Sequence, residues 1–206
     1  MFNISIIGLG YVGLPLAIEL SKYYKIIGYD SSKKRILDLK NGKDLNNDIN
    51  KKILLKSNIF FTNNKNHLKL SDTYIITVPT PILKNKKPDL SYLKKAFKDV
   101  SINLSKGNLV ILESTVYPGL TEELATTYFS NRKKLILNND FYLGYSPERV
   151  NPGDSHKNIK NIKKIISASN KLSLNKMNKI YSKIIKAGLY EAKNIKIAEA
   201  AKVIEN

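Results

Sequence analysis

Two short apolar runs flank a segment of helical length at the amino end of the chain. Ile4, Ile6 and Ile7 form the first run, and residues 26–29 form the second. Short runs rich in β-branched side chains are typical of buried strands. Residues 14–24 between them favour a helix. The pattern therefore predicts a strand, a helix and a second strand in that order, which is a βαβ unit.

The turn between the first strand and the helix carries a glycine-rich motif, GLGYVG at residues 8–13. This spacing is typical of dinucleotide-binding folds. Gly8 permits a tight turn, Gly10 lets the backbone approach a pyrophosphate, and Gly13 lets the helix pack closely on the strand. Free N–H groups at the helix start would face the phosphates. Glycines that serve only a packed turn are the alternative, but the order of strand, turn, helix and strand favours cofactor binding.

An acidic residue closes the second predicted strand. Asp30 is placed to accept hydrogen bonds from a ribose diol, and its charge would repel a 2′-phosphate. This position predicts NAD rather than NADP as the cofactor. Lys33, Lys34 and Arg35 weaken that preference, because a cationic cluster at this place could tolerate a phosphate.

The remainder of the chain alternates apolar runs with amphipathic segments. Ser31 is expected to cap a second helix that runs to about Lys40, and Thr121 is expected to cap a later one. The alternation predicts an α/β protein of the Rossmann type, a doubly wound and mainly parallel sheet with helices on both faces. Further strands are predicted at residues 59–62, 73–77, 109–112, 141–145, 163–167 and 190–192, and further helices at residues 53–56, 93–104, 171–185 and 195–206.

Composition narrows the classes of protein. At 206 residues with 42% hydrophobic side chains, the chain can bury one sizeable core. It has no cysteine, which excludes disulfides, thiolate zinc sites and a cysteine nucleophile within these residues. His67 and His156 are its two histidines, so we expect no metal site. Without a signal sequence or an apolar run of membrane-spanning length, a cytoplasmic protein is the default expectation.

The net charge of +18 raises the question of nucleic-acid binding. Only Arg35, Arg132 and Arg149 among the 35 basic residues are arginine, and the lysines are scattered along the chain. Phosphate clamps and base readers rely on arginine forks. A general drift toward lysine, asparagine and isoleucine explains the charge more simply, and the excess would still attract anionic substrates.

Polar motifs follow three of the predicted strands. Thr80 lies in VPTP, Ser114 and Thr115 lie in ESTVYPG, and Glu148 and Arg149 lie in SPERVNPGD. Open α/β sheets bind ligands at the carboxyl ends of their strands, so these side chains would face one crevice. The local sequence leaves alternatives open: a rigid proline loop for Thr80, capping and turn formation for Ser114 and Thr115, and a surface ion pair for Glu148 and Arg149.

The last segment, residues 195–206, is strongly helical and has no terminating glycine or proline. It resembles the first turns of a longer helix, so we expect a domain at residues 1–194 followed by the start of a connecting helix. Lys202 and Asn206 share one face of this helix. From spacing alone they would be an exposed lysine and a chance terminal asparagine.

Several motifs in order carry a family resemblance: GLGYVGLPLA, VPTP, ESTVYPG, GYSPERVNPGD and AEAAKVIEN. Together they resemble the UDP-glucose/GDP-mannose dehydrogenase family, and SPERVNPGD is most similar to its UDP-N-acetylhexosamine 6-dehydrogenases. The resemblance implies a two-step oxidation of the sugar C6 alcohol through an aldehyde to a carboxylate, with two NAD consumed per UDP-sugar. The products of such enzymes are uronic acid precursors of surface polysaccharides.

The resemblance also implies roles for individual residues. Thr115 and Glu148 match positions that order a catalytic water or assist proton transfer, and Lys202 and Asn206 match residues that bind the reacting oxygen. Arg149 and Asn151 would lie on the substrate side together with Lys202 and Asn206. The implied cofactor-binding residues are Gly8, Gly10, Tyr11, Val12, Gly13, Asp30, Arg35, Thr80, Thr115 and Glu148.

One departure from the family pattern bears on activity. The family's second oxidation uses a cysteine nucleophile in a carboxyl-terminal domain that also binds most of the UDP, and these 206 residues contain neither. The resemblance therefore implies the cofactor half of the enzyme, in which the helix begun at Ile195 joins the halves and forms the homodimer. Without a thiol no thiohemiacetal can form, so we expect NAD binding without acid production.

Three readings stay open at this stage. The chain could belong to a nucleotide-sugar 6-dehydrogenase, whose sugar could be UDP-N-acetylglucosamine, UDP-N-acetylgalactosamine or UDP-glucose. It could be a non-catalytic NAD-binding module that pairs with a separate carboxyl-terminal half. It could also be a basic protein that binds nucleic acid or another anionic polymer, which a salt-sensitive DNA affinity without an effect of NAD would indicate.

Overall fold

Runs of β-branched and aromatic residues form an eight-stranded sheet in the computed structural model, which describes residues 3–148 and 159–205. The helices lie between the strands along the chain, as the alternation predicts. The strands are β1 (Asn3–Ile7), β2 (Lys25–Tyr29), β3 (Ile59–Thr62), β4 (Thr73–Ile76), β5 (Asn108–Leu112), β6 (Phe141–Tyr145), β7 (Lys164–Ala168) and β8 (Leu189–Glu191), and the helices are α1 (Gly13–Leu20), α2 (Lys33–Lys40), α3 (Lys51–Lys56), α4 (Ser91–Asn103), α5 (Leu120–Ala125), α6 (Lys171–Tyr181) and α7 (Ile195–Glu205).

The order of the strands is β3-β2-β1-β4-β5-β6-β7-β8. The first six strands are parallel to their neighbours, β7 runs antiparallel to β6, and β8 is parallel to β7. The order 3-2-1-4-5-6 is that of a Rossmann fold, in which the direction of winding changes between β1 and β4. This arrangement confirms the predicted α/β fold with a mainly parallel sheet.

Helices cover both faces of the sheet, so the central strands are buried on both sides. One hydrophobic cluster joins the sheet to α1, α2, α3 and α6, and the other joins it to α4, α5 and α7. Alternate residues of a strand contribute to opposite clusters: Ile6 belongs to the first and Ile7 to the second. Even the polar Ser5 of β1 is fully buried, where its hydroxyl contacts that of Ser71 at 2.7 Å.

Two predicted helix caps are wrong. Ser32, not Ser31, caps α2, because its backbone is extended and its side chain accepts a hydrogen bond from the Arg35 N–H. Gly119 precedes α5 with a left-handed backbone (φ 98°), and no side chain caps this helix. The hydroxyl of Thr121 instead donates to Glu199 of α7, a long-range bond that no local pattern contains.

The ends of two helices also differ from the prediction. Helix α1 ends at Leu20, because the N–H groups of Lys22 and Tyr23 bond to carbonyls only three residues back, which tightens the chain into a 3₁₀ turn. Helix α6 ends at Tyr181 rather than near residue 185. Ile184 and Ile185 beyond α6 remain in the core, whereas beyond α1 only Tyr24 packs against it and Tyr23 is exposed.

Helix α1 packs closely on the sheet where β1 turns into it. A Cβ atom on Gly13 would lie 2.0 Å from the Gly8 carbonyl oxygen and 2.4 Å from the Thr77 hydroxyl oxygen. Thr77 donates to that same Gly8 oxygen at 2.7 Å, so neither neighbour can move without losing a partly buried hydrogen bond. Close packing of helix on strand, as predicted for Gly13, is confirmed.

We therefore expect Gly13→Ala to lower the free energy of unfolding by about 3 kcal/mol or more, because α1 must move away from the sheet. Gly10→Ala is the matched control. A Cβ on Gly10 has no neighbour within 4 Å, so its effect should stay within about 1 kcal/mol. Urea unfolding followed by circular dichroism measures both, and equal stabilities of the two variants would contradict this account.

Candidate functional site

A cavity of about 400 Å³ opens at the carboxyl ends of β1, β2 and β4, where the winding of the sheet reverses. Crevices at this position are the usual ligand sites of open α/β sheets. Four residues predicted from sequence to bind the cofactor, Gly8, Gly10, Asp30 and Arg35, line it. Helix α4 closes the opposite side with Tyr92 and neighbouring residues.

The glycine turn presents bare backbone to this cavity. Gly8 adopts a positive φ of 93° and donates its N–H to the Tyr29 carbonyl at 2.9 Å. Gly10 faces open space, so its backbone is accessible to a ligand such as a pyrophosphate. Val12 directly precedes α1 without a side-chain cap, which leaves N–H groups of the first turn unbonded to a capping side chain. Tyr11 is half exposed beside them.

The carboxylate of Asp30 is held in place from two sides. One oxygen accepts the Leu9 N–H at 2.9 Å, and the other accepts the Ser32 N–H at 2.9 Å. Each carboxylate oxygen can accept a further hydrogen bond, so the group can still receive the hydroxyls of a ribose. The geometry fits the acceptor predicted for the end of the second strand.

The guanidinium of Arg35 bonds to the protein rather than pointing into solvent. Its Nε and Nη2 atoms donate to the Leu9 carbonyl at 2.9 and 2.7 Å, and Nη1 forms an ion pair with Asp44 at 2.8 Å. Lys33 and Lys34 are exposed on α2. Sequence reasoning missed Asp44, which lies in a polar stretch that showed no signal of a buried carboxylate.

A second group of predicted residues lies at the ends of β4, β5 and β6. The Thr80 hydroxyl donates to the Thr115 carbonyl at 2.9 Å, and the Ser114 hydroxyl donates to the Val78 carbonyl at 2.5 Å. The loops after β4 and β5 are thus linked by two hydrogen bonds. Thr115 itself is exposed at this junction. Ser114 thus joins two loops by a long-range bond, which is neither the capping nor the turn formation that its sequence left open.

A buried polar cluster lies beneath these loops and was not predicted. Lys164 of β7 forms an ion pair with Glu113 at 3.0 Å and approaches Glu148 at 3.9 Å. The Tyr181 hydroxyl donates a short hydrogen bond to the other oxygen of Glu113. Lys164, Glu113 and Tyr181 are all buried, so each depends on the others to replace water. The cluster connects α6 and three strand ends.

Burial and charge act in opposite directions on this cluster. Burial raises the pKa of Glu113 above its ordinary value, while the ammonium of Lys164 opposes that rise. Burial would lower the pKa of Lys164, but the carboxylates of Glu113 and Glu148 raise it above its ordinary value. Burial, followed by the charge of Glu113, also raises the pKa of Tyr181. Lys164 therefore supplies a fixed positive charge beside Glu148.

Helix α7 is attached to the loop after β5 by a buried carboxylate. Glu199 accepts hydrogen bonds from the Gly119 N–H at 2.5 Å, the Thr121 N–H at 3.0 Å and the Thr121 hydroxyl at 2.5 Å. Lys202 follows one helical turn later, on the part of α7 that emerges from the core. The predicted site residues Arg149, Asn151 and Asn206 lie outside the described residues.

Within residues 3–148 and 159–205, no helix is both long and apolar enough to cross a membrane. The same residues contain no group of three or more acidic or histidine side chains arranged to hold a metal ion.

The fold, the glycine turn and the acid at the end of β2 define a dinucleotide-binding α/β domain. A sequence model of the NAD binding domain of the UDP-glucose/GDP-mannose dehydrogenase family matches residues 2–185. The chain belongs to this family, which confirms the resemblance inferred from its motifs. NAD is accordingly the cofactor of the domain, as the position of Asp30 predicts.

Named relatives agree with this assignment. The chain is 50% identical to a UDP-N-acetyl-D-glucosamine 6-dehydrogenase from Salmonella typhi over 205 residues, which are 99% of this chain and 48% of that protein. The structure is similar to a UDP-D-ManNAc dehydrogenase from Pyrococcus horikoshii, with a TM-score of 0.90 and 34% identity over 98% of this chain and 49% of the other. It is also similar to an NDP-N-acetyl-D-galactosaminuronic acid dehydrogenase from Methanosarcina mazei, with a TM-score of 0.91 and 27% identity over 100% of this chain and 46% of the other. The chain spans about half the length of the curated relatives it matches.

The buried cluster yields a test with a defined pH dependence. Lys164→Met removes the counter-charge of Glu113, so the pKa of Glu113 in the folded chain rises further. The folded state then keeps a proton that the unfolded state releases above the ordinary pKa of 4.5, and stability falls as pH rises, by up to about 1.4 kcal/mol per pH unit. We expect a loss of about 3 to 5 kcal/mol at pH 8 and a much smaller loss at pH 5, measured by urea unfolding.

Lys183→Met is the matched control, because it makes the same replacement at an exposed lysine. Its effect should stay within about 0.5 kcal/mol at both pH values. Equal losses for Lys164→Met at pH 5 and pH 8 would show that Glu113 does not need the charge of Lys164.

Proposed function

We propose that this chain is the NAD-binding part of a nucleotide-sugar 6-dehydrogenase that converts UDP-N-acetyl-D-glucosamine or UDP-N-acetyl-D-galactosamine to the uronic acid. The observation that carries the proposal is the 50% identity with a UDP-N-acetyl-D-glucosamine 6-dehydrogenase, which extends over 99% of this chain. The joined loops of Thr80 and Thr115 support it, because they bring two of the family's motifs together.

In this proposal the pyrophosphate of NAD lies against Gly8, Gly10, Tyr11, Val12 and Gly13, since this turn offers open backbone at the start of α1. Asp30 binds the adenosine ribose from the cavity wall. When bound, NAD supplies the acceptor for the hydride that leaves the sugar C6 carbon. Thr80, Thr115 and Glu148 then lie toward the end of the cofactor where the sugar is oxidised.

The residues of this chain would manage the proton and the charge on the reacting oxygen. Loss of hydride from an alcohol requires removal of the alcohol proton, and a nearby cation stabilises the developing oxyanion. Lys202 and Asn206 are the proposed contacts to that oxygen, and Thr115 and Glu148 are proposed to hold the water that takes the proton. Arg149 and Asn151 are proposed to bind the substrate.

We further propose that residues 1–194 form the cofactor domain and that α7 begins a helix shared between two subunits. Ile197, Val203 and Ile204 of α7 are 48%, 51% and 84% exposed, so these apolar side chains are open to a partner. A homodimer contact along this helix would cover them.

The cofactor proposal is tested by calorimetry with NAD and NADP. We expect the chain to bind NAD at least about tenfold more tightly than NADP, because the Asp30 carboxylate repels a 2′-phosphate. Asp30→Ala should weaken NAD binding and reduce this discrimination. Gly10→Ala should remain folded and bind neither nucleotide well, since its Cβ would occupy the space of the pyrophosphate. Identical heats from folded native and Asp30→Ala chains would refute the placement.

A second test concerns the complete reaction. The 206 residues contain no cysteine, so the thiol step that the family uses to reach the acid is not available to them. We expect the purified chain to form no carboxylate from UDP-N-acetylglucosamine and NAD, as measured by mass spectrometry of the nucleotide sugar. Calorimetric NAD binding by the same sample is the control that the domain is intact. Acid formed in amounts stoichiometric with the sugar would contradict the proposal.

A further inference from the structure

Asp44 lies directly behind the cavity and holds the cation that faces it. We propose that Asp44 is a specificity-determining residue for NAD: it retains the Arg35 guanidinium against the glycine turn and so withholds this cation from a 2′-phosphate. The inference rests on the proposed placement of the adenosine ribose beside Asp30. Asp44 would act as a positioning residue, through Arg35 and without touching the cofactor.

The first support is the number of bonds that hold Arg35. Two of its nitrogens donate to the Leu9 carbonyl at 2.9 and 2.7 Å, and a third pairs with Asp44 at 2.8 Å. The Arg35 side chain is only 11% exposed, although the residue lines the cavity. These contacts engage three of the five guanidinium N–H groups, and they fix the orientation in which the other two could meet a phosphate.

The second support is the rigidity of Asp44 itself. Its side chain is fully buried, and its oxygens also accept the backbone N–H groups of Asn46 at 3.3 Å, Asp48 at 3.0 Å and Ile49 at 3.1 Å. The loop that follows α2 thus folds around this carboxylate. The next two residues of the loop line the cavity, whereas Asp44 does not. Arg35 and these three N–H groups together hold the buried carboxylate in one position.

The third support is the position of Arg35 relative to Asp30. Leu9 donates its N–H to Asp30 and receives Arg35 at its carbonyl, so the acid and the cation lie on two sides of one residue. An arginine close to the acid at the end of β2 is the group that accommodates the 2′-phosphate in NADP-binding domains of this fold. Arg35 already occupies that region, and its bond to Asp44 fixes it away from the ribose.

The Asp44 carboxylate both binds Arg35 and binds backbone N–H groups of its own loop, and Asp44→Asn separates these two functions. If the asparagine oxygen keeps the N–H groups of Asp48 and Ile49, its amide NH₂ turns toward Arg35 and repels it. Calorimetry with NAD and with NADP is carried out on the native chain, Asp44→Asn, Arg35→Gln and the double variant. We expect Asp44→Asn to shift the ratio of NADP to NAD affinity by about tenfold toward NADP, which is the value of one charge-assisted bond.

The double variant shows whether the shift acts through Arg35. Asp44→Asn combined with Arg35→Gln should return the ratio to the native value, because no cation is left to release. Arg35→Gln alone should weaken NAD and NADP by the same factor. A general loosening of the loop would weaken both nucleotides and leave their ratio unchanged, so the ratio distinguishes specificity from a structural effect.

Three outcomes would overturn the inference: an unchanged ratio in folded Asp44→Asn, the same shift in the double variant, or a selective loss of NADP binding in Arg35→Gln. The last of these decides the question even if Asp44→Asn does not fold. Failure of the native chain to bind NAD would instead refute the placement of the cofactor, and the inference with it. Normal NAD binding with an unchanged ratio would refute the role of Asp44 alone.

Discussion

The close contact between Gly13 and the Gly8 carbonyl is the constraint on which the site depends. It brings the start of α1 against the end of β1 and lets Thr77, which directly follows β4, bond to the same oxygen. Any side chain at position 13 would separate helix from sheet, whereas the space beside Gly10 is open and Gly10 lines the cavity. One glycine is needed for packing and the other for access, although both belong to one motif.

Buried polar groups hold the chain after β5 against β7 and α7. Each joins segments distant in sequence: Glu113 bonds Lys164 across 51 positions, and Glu199 reaches Gly119 and Thr121 across about 80. Buried ion pairs contribute little net stability, because desolvation offsets their attraction. Their cost when broken is large, however, so they hold one arrangement of loops. In a domain that binds NAD, a fixed arrangement of loops matters more than added stability.

The sequence predicted the sheet well for a physical reason. Strands such as Thr73–Ile76 and Asn108–Leu112 are buried on both faces, so their apolar character is visible without knowledge of their neighbours. The glycine motif and Asp30 were equally visible, since both are local to one βαβ unit. Caps were harder: Ser31 and Ser32 have the same side chain, and only the backbone conformation decides which one receives the Arg35 N–H.

The partners of Arg35, Lys164 and Glu199 could not be predicted, because a local pattern cannot show which carboxylate meets which cation across the sheet. These contacts nevertheless show where the charges of the chain lie, which the net charge of +18 does not. The acidic residues are few, and three of them (Asp44, Glu113 and Glu199) are buried and hydrogen-bonded around the site. Most of the lysines, in contrast, remain on the surface. The excess positive charge therefore lies on the surface, where it would attract any anion, including a nucleotide. In the proposed site, selection between nucleotides depends on the few carboxylates and on the groups that they bind.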